Sequence, residues 1–374
     1  MAEPSQRQRA PTPPEGLDAE DTLAGRFAGA ESTAGVAPGG RTGRYRDIVV
    51  IGASAGGVQA LDQLVERLPP ELPASVFVVL HLAAGGRSVL PSILARIGSL
   101  PAAVPHEHQL PERGHIYVAP PDRHLLLVGQ EVRLTAGPRE NGHRPAIDPL
   151  FRSAARTYGP RVIAVVLSGT LDDGAAGSHM VRERGGVVLV QHPDDALYAD
   201  MPRNTLEIAG ANAVLPASKI AEKLCELLKE PLPDSSEDVE RTGEQEANEI
   251  MNAQLVVNGA PTELACPDCG GALWEREEGE LVRFGCRVGH VYSPESLVAE
   301  HGKALEQALW AALRGLEERA DLYRRMAHRA QLSGRDSVER RFDKRSESAE
   351  RHATAIRDAI AKLTASGDLA EEAP

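Results

Sequence analysis

The chain has 374 residues and a formal net charge of −13, and this length predicts two folded units with flanking tails. The negative charge argues against a nucleic-acid partner, which needs a basic face. No apolar run approaches the length of a membrane span, and the polar, Pro-rich N-terminus lacks the apolar core of a secretory signal. Four cysteines are too few for a disulfide framework, so a cytoplasmic protein is expected.

The first structured element is predicted at an abrupt change of composition near Asp47. Residues 1–45 are rich in Pro, Gly, Ala and charged residues, and we predict a disordered tail there. The β-branched run at 47–51 predicts a strand buried on both faces. Small residues follow at 52–57, and apolar residues then recur at helical spacing as far as Leu68. This segment is therefore a strand–turn–helix unit.

Strands and helices alternate from there to about residue 229. Apolar runs predict buried strands, and a helix carrying Leu224 and Leu227 closes the region. The predicted strands lie at 76–80, 162–167 and 187–190, with three short ones at 116–119, 125–128 and 132–134 that are candidates for hairpins. The alternation predicts an α/β fold with a doubly wound, mostly parallel sheet over residues 46–229.

The sequence predicts four segments in the C-terminal part of the chain. Residues 230–261 are acidic and poor in apolar groups, which predicts a linker. A small Cys/His module occupies 262–292, and apolar residues at three-and-four spacing over 293–365 predict a helical hairpin or coiled coil. The last residues, 366–374, are expected to be a loose tail. The hairpin is either an arm for a partner or for a homo-oligomer, or it packs on the Cys/His module.

Ser54 lies in Gly52-Ala53-Ser54-Ala55-Gly56, a G-x-S-x-G sequence at the predicted strand-to-helix turn. In such a turn a nucleophilic hydroxyl is exposed, and the backbone N–H groups at the helix start can bind an oxyanion. The alternative is a Gly-rich turn that binds a phosphate. The spacing departs from G-x-G-x-x-G, which favours the nucleophile.

Two further polar groups follow apolar strands. His81 ends the strand at 76–80, and Asp172 and Asp173 follow the strand at 162–167. Taken alone, each has an ordinary explanation, a strand-end histidine or a helix cap. Because the carboxyl ends of parallel strands form the ligand-binding edge of an open α/β sheet, we expect Ser54, His81 and an aspartate to meet there.

Residues 46–225 resemble the catalytic domain of the chemotaxis protein-glutamate methylesterases, the CheB family. Several stretches together carry the resemblance. They are Ile-Gly-Ala-Ser-Ala-Gly-Gly (51–57), Val-Leu-His-Leu (79–82), Ile-Tyr-Val-Ala-Pro-Pro-Asp-Arg-His-Leu (116–125), Arg-Pro-Ala-Ile-Asp-Pro-Leu-Phe (144–151), Leu-Ser-Gly-Thr-Leu-Asp-Asp-Gly-Ala (167–175) and Met-Pro-Arg-Asn (201–204).

The resemblance implies a cofactor-free serine hydrolase. In it Ser54 is the nucleophile, His81 the base and Asp173 the residue that orients the base, while Asp172 takes a variable position. It implies demethylation of glutamate methyl esters, and deamidation of glutamines, on chemoreceptor-type proteins in a chemotaxis-like signalling pathway. The alternative function is a non-catalytic interaction module of a signalling complex. The family often has a Met where this chain has Thr170.

Regulation is expected to differ from that of the resembling family. Its members usually carry an N-terminal phosphoacceptor receiver domain, and residues 1–45 are too short to form one. We therefore expect no control by phosphorylation within this chain, and a separate receiver or kinase is a candidate partner.

The C-terminal module contains a pattern typical of zinc sites. Cys266 and Cys269 form a C-x2-C pair, and after 16 residues Cys286 and His290 form a C-x3-H pair. A redox C-x-x-C pair is the alternative, but it leaves the third Cys and the His unexplained. Four protein ligands predict a structural zinc, which would supply folding energy to a segment too short for its own core.

Other histidines and arginines have weaker predictions. His124 either lines the cleft or is structural, and Arg144 and Arg203 either contact an acidic substrate or form salt bridges. Four histidines in apparent loops are expected to be exposed: His106, His108, His143 and His192.

Overall fold

The structure is a computed structural model that describes residues 44–81, 89–232, 259–279 and 281–366. Most of the predicted N-terminal tail, of the acidic linker and of the loose C-terminal tail lies outside these ranges. All the described residues belong to one compact unit, which spans Gly43–Pro374. No helix within the described ranges is long and apolar enough to cross a membrane.

A seven-stranded sheet forms the centre of the N-terminal half, and all of its pairings are parallel. The strands follow the order β3-β4-β2-β1-β7-β8-β9. Their bounds are β1 Ile48–Ala53, β2 Ser75–Leu80, β3 Ala102–Ala103, β4 Ile116–Val118, β7 Val162–Val166, β8 Val187–Gln191 and β9 Ala213–Leu215, while β5 His124–Val128 and β6 Glu131–Thr135 form a separate antiparallel pair. The predicted doubly wound parallel sheet is confirmed, although β4 joins the main sheet rather than a hairpin.

Helices cover both faces of the sheet. Alternate residues of β1 face opposite sides: Val49 and Ile51 pack in one apolar core, and Val50 packs in the other. This is the reason for the continuous β-branched runs, because both faces of each strand are buried. One face carries α1 Gly57–Val65, α2 Leu90–Ile97 and α6 Ala217–Leu227, and the other carries α3 Ile147–Tyr158, α4 Ala175–Glu183 and α5 Asp200–Ile208.

The C-terminal half consists of an antiparallel four-stranded sheet and two long helices. The elements are β10 Ala260–Ala265, β11 Ala272–Glu278, β12 Leu281–Cys286, β13 Val291–Tyr292, α7 Pro294–Leu332 and α8 Asp336–Ser366. The predicted helical hairpin is confirmed, with Leu313, Ala353 and Ile360 in the apolar seam between the helices. Leu297 in the first turn of α7 packs in the apolar cluster that contains Cys266.

Candidate active site

Ser54, His81 and Asp173 meet at the carboxyl edge of the parallel sheet. Ser54 follows β1, His81 follows the neighbouring β2, and Asp173 lies in the loop after β7, the other neighbour of β1. His81 Nδ1 lies 3.0 Å from Ser54 Oγ, and His81 Nε2 lies 2.8 Å from Asp173 Oδ2. The structure thus brings the three predicted site residues into hydrogen-bond contact.

The turn that carries Ser54 is fixed by its surroundings. Gly56 has a φ of 69°, and a Cβ at this position would lie 2.7 Å from Ser168 Oγ, so glycine is required there. The backbone N–H of Ser54 donates to the carbonyl oxygen of Ser168 at 3.0 Å. Helix α1 begins at Gly57, directly after the turn. The Ser54 hydroxyl is therefore presented at a helix N-terminus.

The hydrogen-bond partners of His81 define its neutral tautomer. A carboxylate only accepts hydrogen bonds, so Nε2 carries the proton that is donated to Asp173. Nδ1 then accepts from the Ser54 hydroxyl. The ring nitrogens are interchanged relative to the common serine-protease arrangement, in which Nε2 faces the serine. The side chains of His81 and Asp173 are only 5% and 2% exposed, so this contact is shielded from water.

Asp173 accepts four hydrogen bonds. Oδ2 accepts from His81 and from the backbone N–H of Ile147 at 2.6 Å, and Oδ1 accepts from Asn141 Nδ2 at 3.0 Å and from the N–H of Asp148 at 3.2 Å. Burial alone would raise the pKa of Asp173, but the hydrogen bond and charge of His81 and the Ile147 N–H outweigh burial and lower the pKa below its usual value. Asp173 is therefore a carboxylate.

His143 contradicts the expectation of an exposed loop histidine. Its ring stacks on the His81 ring, with 3.6 Å between the ring centroids. Burial, followed by the nearby charge of His81, lowers the pKa of His143 well below its usual value. The expectation was wrong because a loop that looks polar in the sequence folds over the site. His106, His108 and His192 are exposed, as expected.

The remaining predicted residues divide between structural roles and the surface. His124 is fully buried, where Nε2 donates to the carbonyl oxygen of Pro138 at 2.9 Å. Arg144 pairs with Asp122 at 3.3 Å. Arg203 is exposed on α5, with no carboxylate at ion-pair distance in the described part of the chain.

Met201 forms part of the wall beside Ser54. It is fully buried on α5, and the Met201 sulfur occupies the space where a Cβ on Gly169 would lie. The same Cβ would come within 2.9 Å of Ser54 Cβ. A methionine thus approaches the site from another element, although the family-typical Met position holds Thr170.

The comparisons with known proteins match the segment that contains this site. A family model described as CheB methylesterase matches residues 49–224. A Methanosarcina mazei protein named protein-glutamate methylesterase/protein-glutamine glutaminase 2 is 35% identical over 192 residues, which are 49% of this chain and 52% of that protein. The chain thus spans about half the length of such curated relatives.

A shorter relative, which the match covers over almost its whole length, shows the family of this chain. A Leptospira interrogans protein, provisionally named for the same two activities, is 35% identical over 177 residues, and the match covers 47% of this chain and 92% of that protein. The chain belongs to the CheB methylesterase family. A crystal structure of the Thermotoga maritima CheB methylesterase catalytic domain is 36% identical, with 48% of this chain and 98% of that chain covered and a TM-score of 0.47.

Asp172 has a defined role in this CheB-family chain, although its position in the motif is variable. It is buried, and its Oδ1 accepts hydrogen bonds of 2.8 Å from the hydroxyls of Ser293 and Ser296. Both serines lie at the start of α7, outside the segment that the CheB model matches. The loop that carries Asp173 therefore contacts the C-terminal half directly.

The four predicted metal ligands of the CheB-family chain form one cluster. The ligand atoms of Cys266, Cys269, Cys286 and His290 all lie within 4.8 Å of one another. Sγ of Cys269 lies 3.6 Å from Sγ of Cys286, which is itself 3.5 Å from Nδ1 of His290. A tetrahedral zinc with S and N ligands requires edges of about 3.5–3.8 Å. The cluster can therefore hold a metal ion.

Proposed function

We propose that this chain is a protein-glutamate methylesterase, a serine hydrolase that demethylates glutamate methyl esters and deamidates glutamines on chemoreceptor-type proteins. The observation that carries the proposal is the contact of His81 with both Ser54 and Asp173 in a chain of the CheB family. The two activities are those for which the relatives are named.

Ser54 is the proposed nucleophile and His81 the proposed general base. As Ser54 Oγ attacks the ester carbonyl carbon, its proton passes to Nδ1 of His81. The Asp173 carboxylate stabilises the resulting imidazolium through Nε2–H. The proton then moves from Nδ1 to the departing methoxide, which leaves as methanol. A water molecule then gives a proton to Nδ1 of His81 as its oxygen attacks the acyl carbon. The bond from that carbon to Ser54 Oγ breaks, and His81 returns the proton to Oγ.

The proposed oxyanion donors are backbone N–H groups after Ser54. The N–H of Ser54 itself already donates to Ser168, so the donors are assigned to Ala55 and Gly56, at the start of α1. The positive end of the helix dipole adds to their effect on a developing negative charge. This chemistry needs no cofactor.

The Cys/His cluster is the proposed site of a structural zinc. The distances between ligand atoms support this assignment. So do two glycines with left-handed backbone, Gly270 directly after Cys269 and Gly289 between Cys286 and His290, because each turns the chain next to a ligand. Cys266, Cys269, Cys286 and His290 would fill all four positions of a tetrahedral zinc, so the metal would stabilise the small sheet rather than bind substrate.

The proposed partner is a methylated chemoreceptor or a similar signalling protein. The four thiols, none in a disulfide, support a reducing cytoplasm as the compartment. A separate receiver or kinase partner and homo-oligomers through the C-terminal helices stay predictions.

The proposed function is tested by identifying the products formed on a receptor fragment. A receptor cytoplasmic fragment with methyl-esterified glutamates and unmodified glutamines is incubated with the full chain and analysed by mass spectrometry. We expect free glutamate at both kinds of site, with Ser54→Ala as the inactive control. An unchanged receptor fragment would contradict the proposal.

A further inference from the structure

A chain of two hydrogen bonds links the C-terminal half to the site aspartate. The backbone N–H of Ser293 donates to Asn141 Oδ1 at 3.0 Å, and Asn141 Nδ2 donates to Asp173 Oδ1 at 3.0 Å. The backbone N–H of Asn141 donates in turn to the carbonyl oxygen of Val291 at 2.8 Å. The backbone N–H and the side-chain oxygen of Asn141 therefore bind Val291 and Ser293, while the side-chain nitrogen binds Asp173.

The start of α7 also fixes the residue next to Asp173. Ser293 Oγ donates to Asp172 Oδ1 and accepts from the backbone N–H of Ser296 at 3.1 Å, which caps the helix. Ser296 Oγ donates to the same carboxylate oxygen, and Ser296 is fully buried. A buried carboxylate is costly without hydrogen-bond donors. Asp172 thus depends on the C-terminal half for both hydroxyl donors.

The charged groups that pair near the site also come from both halves of the chain. Glu140 and Asp148 are buried near Asp173, and Arg152 of α3 donates two hydrogen bonds to Glu140, at 2.6 and 2.8 Å. The second guanidinium is that of Arg283 on β12, which pairs with Glu140 and, at 3.5 Å, with Asp148. Buried carboxylates need paired charges, and one of the two guanidinium groups that pair with Glu140 comes from the C-terminal half.

We propose that the C-terminal half is a positioning element for the reaction, with Ser293 as a positioning residue that acts through Asn141 and Asp172 on Asp173. This inference rests on the proposed function only for the identity of the substrate. According to this inference, full activity requires residues outside the segment that the family model matches, which ends at residue 224.

The proposal predicts a defect in the chemical step and not in receptor binding. Without the Ser293 contacts, the loop that carries Asp173 is less restrained, and Asp173 orients the His81 ring less well. Ser293 is only 8% exposed, so it is not placed to contact a receptor. We expect kcat to fall and KM to stay constant.

The experiment measures the reactivity of Ser54 with a fluorophosphonate probe in the full chain, together with kcat and KM for methanol release. Ser293→Ala removes the hydroxyl contact with Asp172 but keeps the backbone N–H that donates to Asn141, whereas Asn141→Ala removes a donor to Asp173. Each variant is expected to label about ten-fold to a hundred-fold more slowly, the loss that one hydrogen bond to a charged group allows. Ser293→Thr keeps the hydroxyl and should restore most of the rate. Ser333→Ala, at the other end of α7, is the matched control and should label like the unaltered chain.

A thermal unfolding curve for each variant shows whether it is folded at the assay temperature. If Ser293→Ala does not fold, Ser296→Ala removes one hydroxyl from Asp172, leaves the helix cap in place and should also slow labelling. Folded Ser293→Ala and Asn141→Ala variants that label at the rate of the unaltered chain would overturn the proposal, as would a Ser296→Ala variant with an unchanged rate if it alone folds.

The two proposals fail in different ways. If the unaltered chain labels at Ser54 but releases no methanol, the assigned substrate is wrong, and the labelling rates still measure the effect of Ser293. If methanol is released at equal rates by the unaltered chain and by the folded Ser293→Ala and Asn141→Ala variants, the esterase function stands and the positioning role is refuted.

Discussion

At the scale of single residues, His81 determines what the site can do. Its ring is held on one edge by Asp173, faces Ser54 on the other edge and is stacked on His143. A ring fixed in this way has a single direction for the proton that it accepts. In the proposed mechanism the hydroxyl of Ser54 becomes a nucleophile only through that contact, because an isolated serine hydroxyl is too weak a nucleophile at neutral pH.

Replacement of Ser54 or His81 should abolish esterase activity and leave the fold intact. Ser54→Ala and His81→Gln are each expected to lower kcat by at least about a thousand-fold, as in other serine triads. Both sites lie at strand ends, so the thermal unfolding midpoint should change little. Activity is measured as methanol release, and a folded Ser54→Ala variant with full activity would refute the assigned nucleophile.

His143 should make the stability of the fold depend on pH. Its pKa is lowered in the folded chain by burial and by the charges of His81, Lys303 and Arg139, with Asp173 opposing them. The unfolded chain therefore gains a proton near pH 6.5 that the folded chain does not bind, and stability is lost as the pH falls below that value.

The matched variant His143→Phe keeps a flat ring against His81 but cannot titrate. Between pH 7 and pH 5, urea unfolding should show a smaller loss of stability than in the unaltered chain, by at most about 1.4 kcal/mol per pH unit. Equal losses in both proteins would show that His143 is protonated in the folded state.

At the scale of elements, the small sheet β10–β13 has only a small apolar core. Its apolar cluster contains Leu273, Tyr292 and Leu297 and is completed by two of the cysteines. A cluster of this size cannot offset the entropy of ordering four strands, so a bound metal should supply much of the stability.

Removal of the metal should unfold the small sheet. We expect about one zinc per purified chain, and treatment with a chelator should increase amide exchange in β11 and β12 while β1 and β7 stay protected. A Cys286→Ser variant should behave like the chelated protein, and Cys225→Ser, which changes a thiol outside the cluster, is the control. A zinc-free chain with unchanged exchange in these strands would contradict the assignment.

The strands of the main sheet were predictable because their signal is local. Continuous apolar, β-branched runs such as 47–51 and 162–167 mark strands buried on both faces. The carboxyl-edge rule then predicts that Ser54, His81 and one of the aspartates at 172 and 173 meet, and the family resemblance selects Asp173. Strand β3 has two residues and α2 eight, and neither has enough sequence to show a period. Strand β4 was misassigned to a hairpin because its pairing partner, β2, is distant in sequence.

The parts of the site that could not be predicted depend on tertiary contacts. Asn141 and Ser293 are 152 residues apart in sequence, and no pattern in either segment indicates that they touch. His143 lies just before the Arg-Pro motif at 144–145, in a stretch without apolar period, and only the folded loop shows that it covers His81.

At the scale of the whole molecule, a CheB-family half and a C-terminal half share buried polar contacts. The network of Asp172, Asp173 and Asn141 receives donors from both halves. Groups that share buried hydrogen bonds are energetically coupled. Changes in the small sheet or in α7 should therefore alter the position of Asp173 in the site. The proposed function nevertheless depends first on the chemistry at Ser54.

The catalytic role of Ser54 is tested by methanol release from a methyl-esterified receptor fragment, measured side by side for the full chain and for its Ser54→Ala variant. We expect steady release by the unaltered chain and none above background by the folded variant. Equal release by the two proteins, or none by a zinc-loaded, folded chain that labels at Ser54, would contradict this expectation.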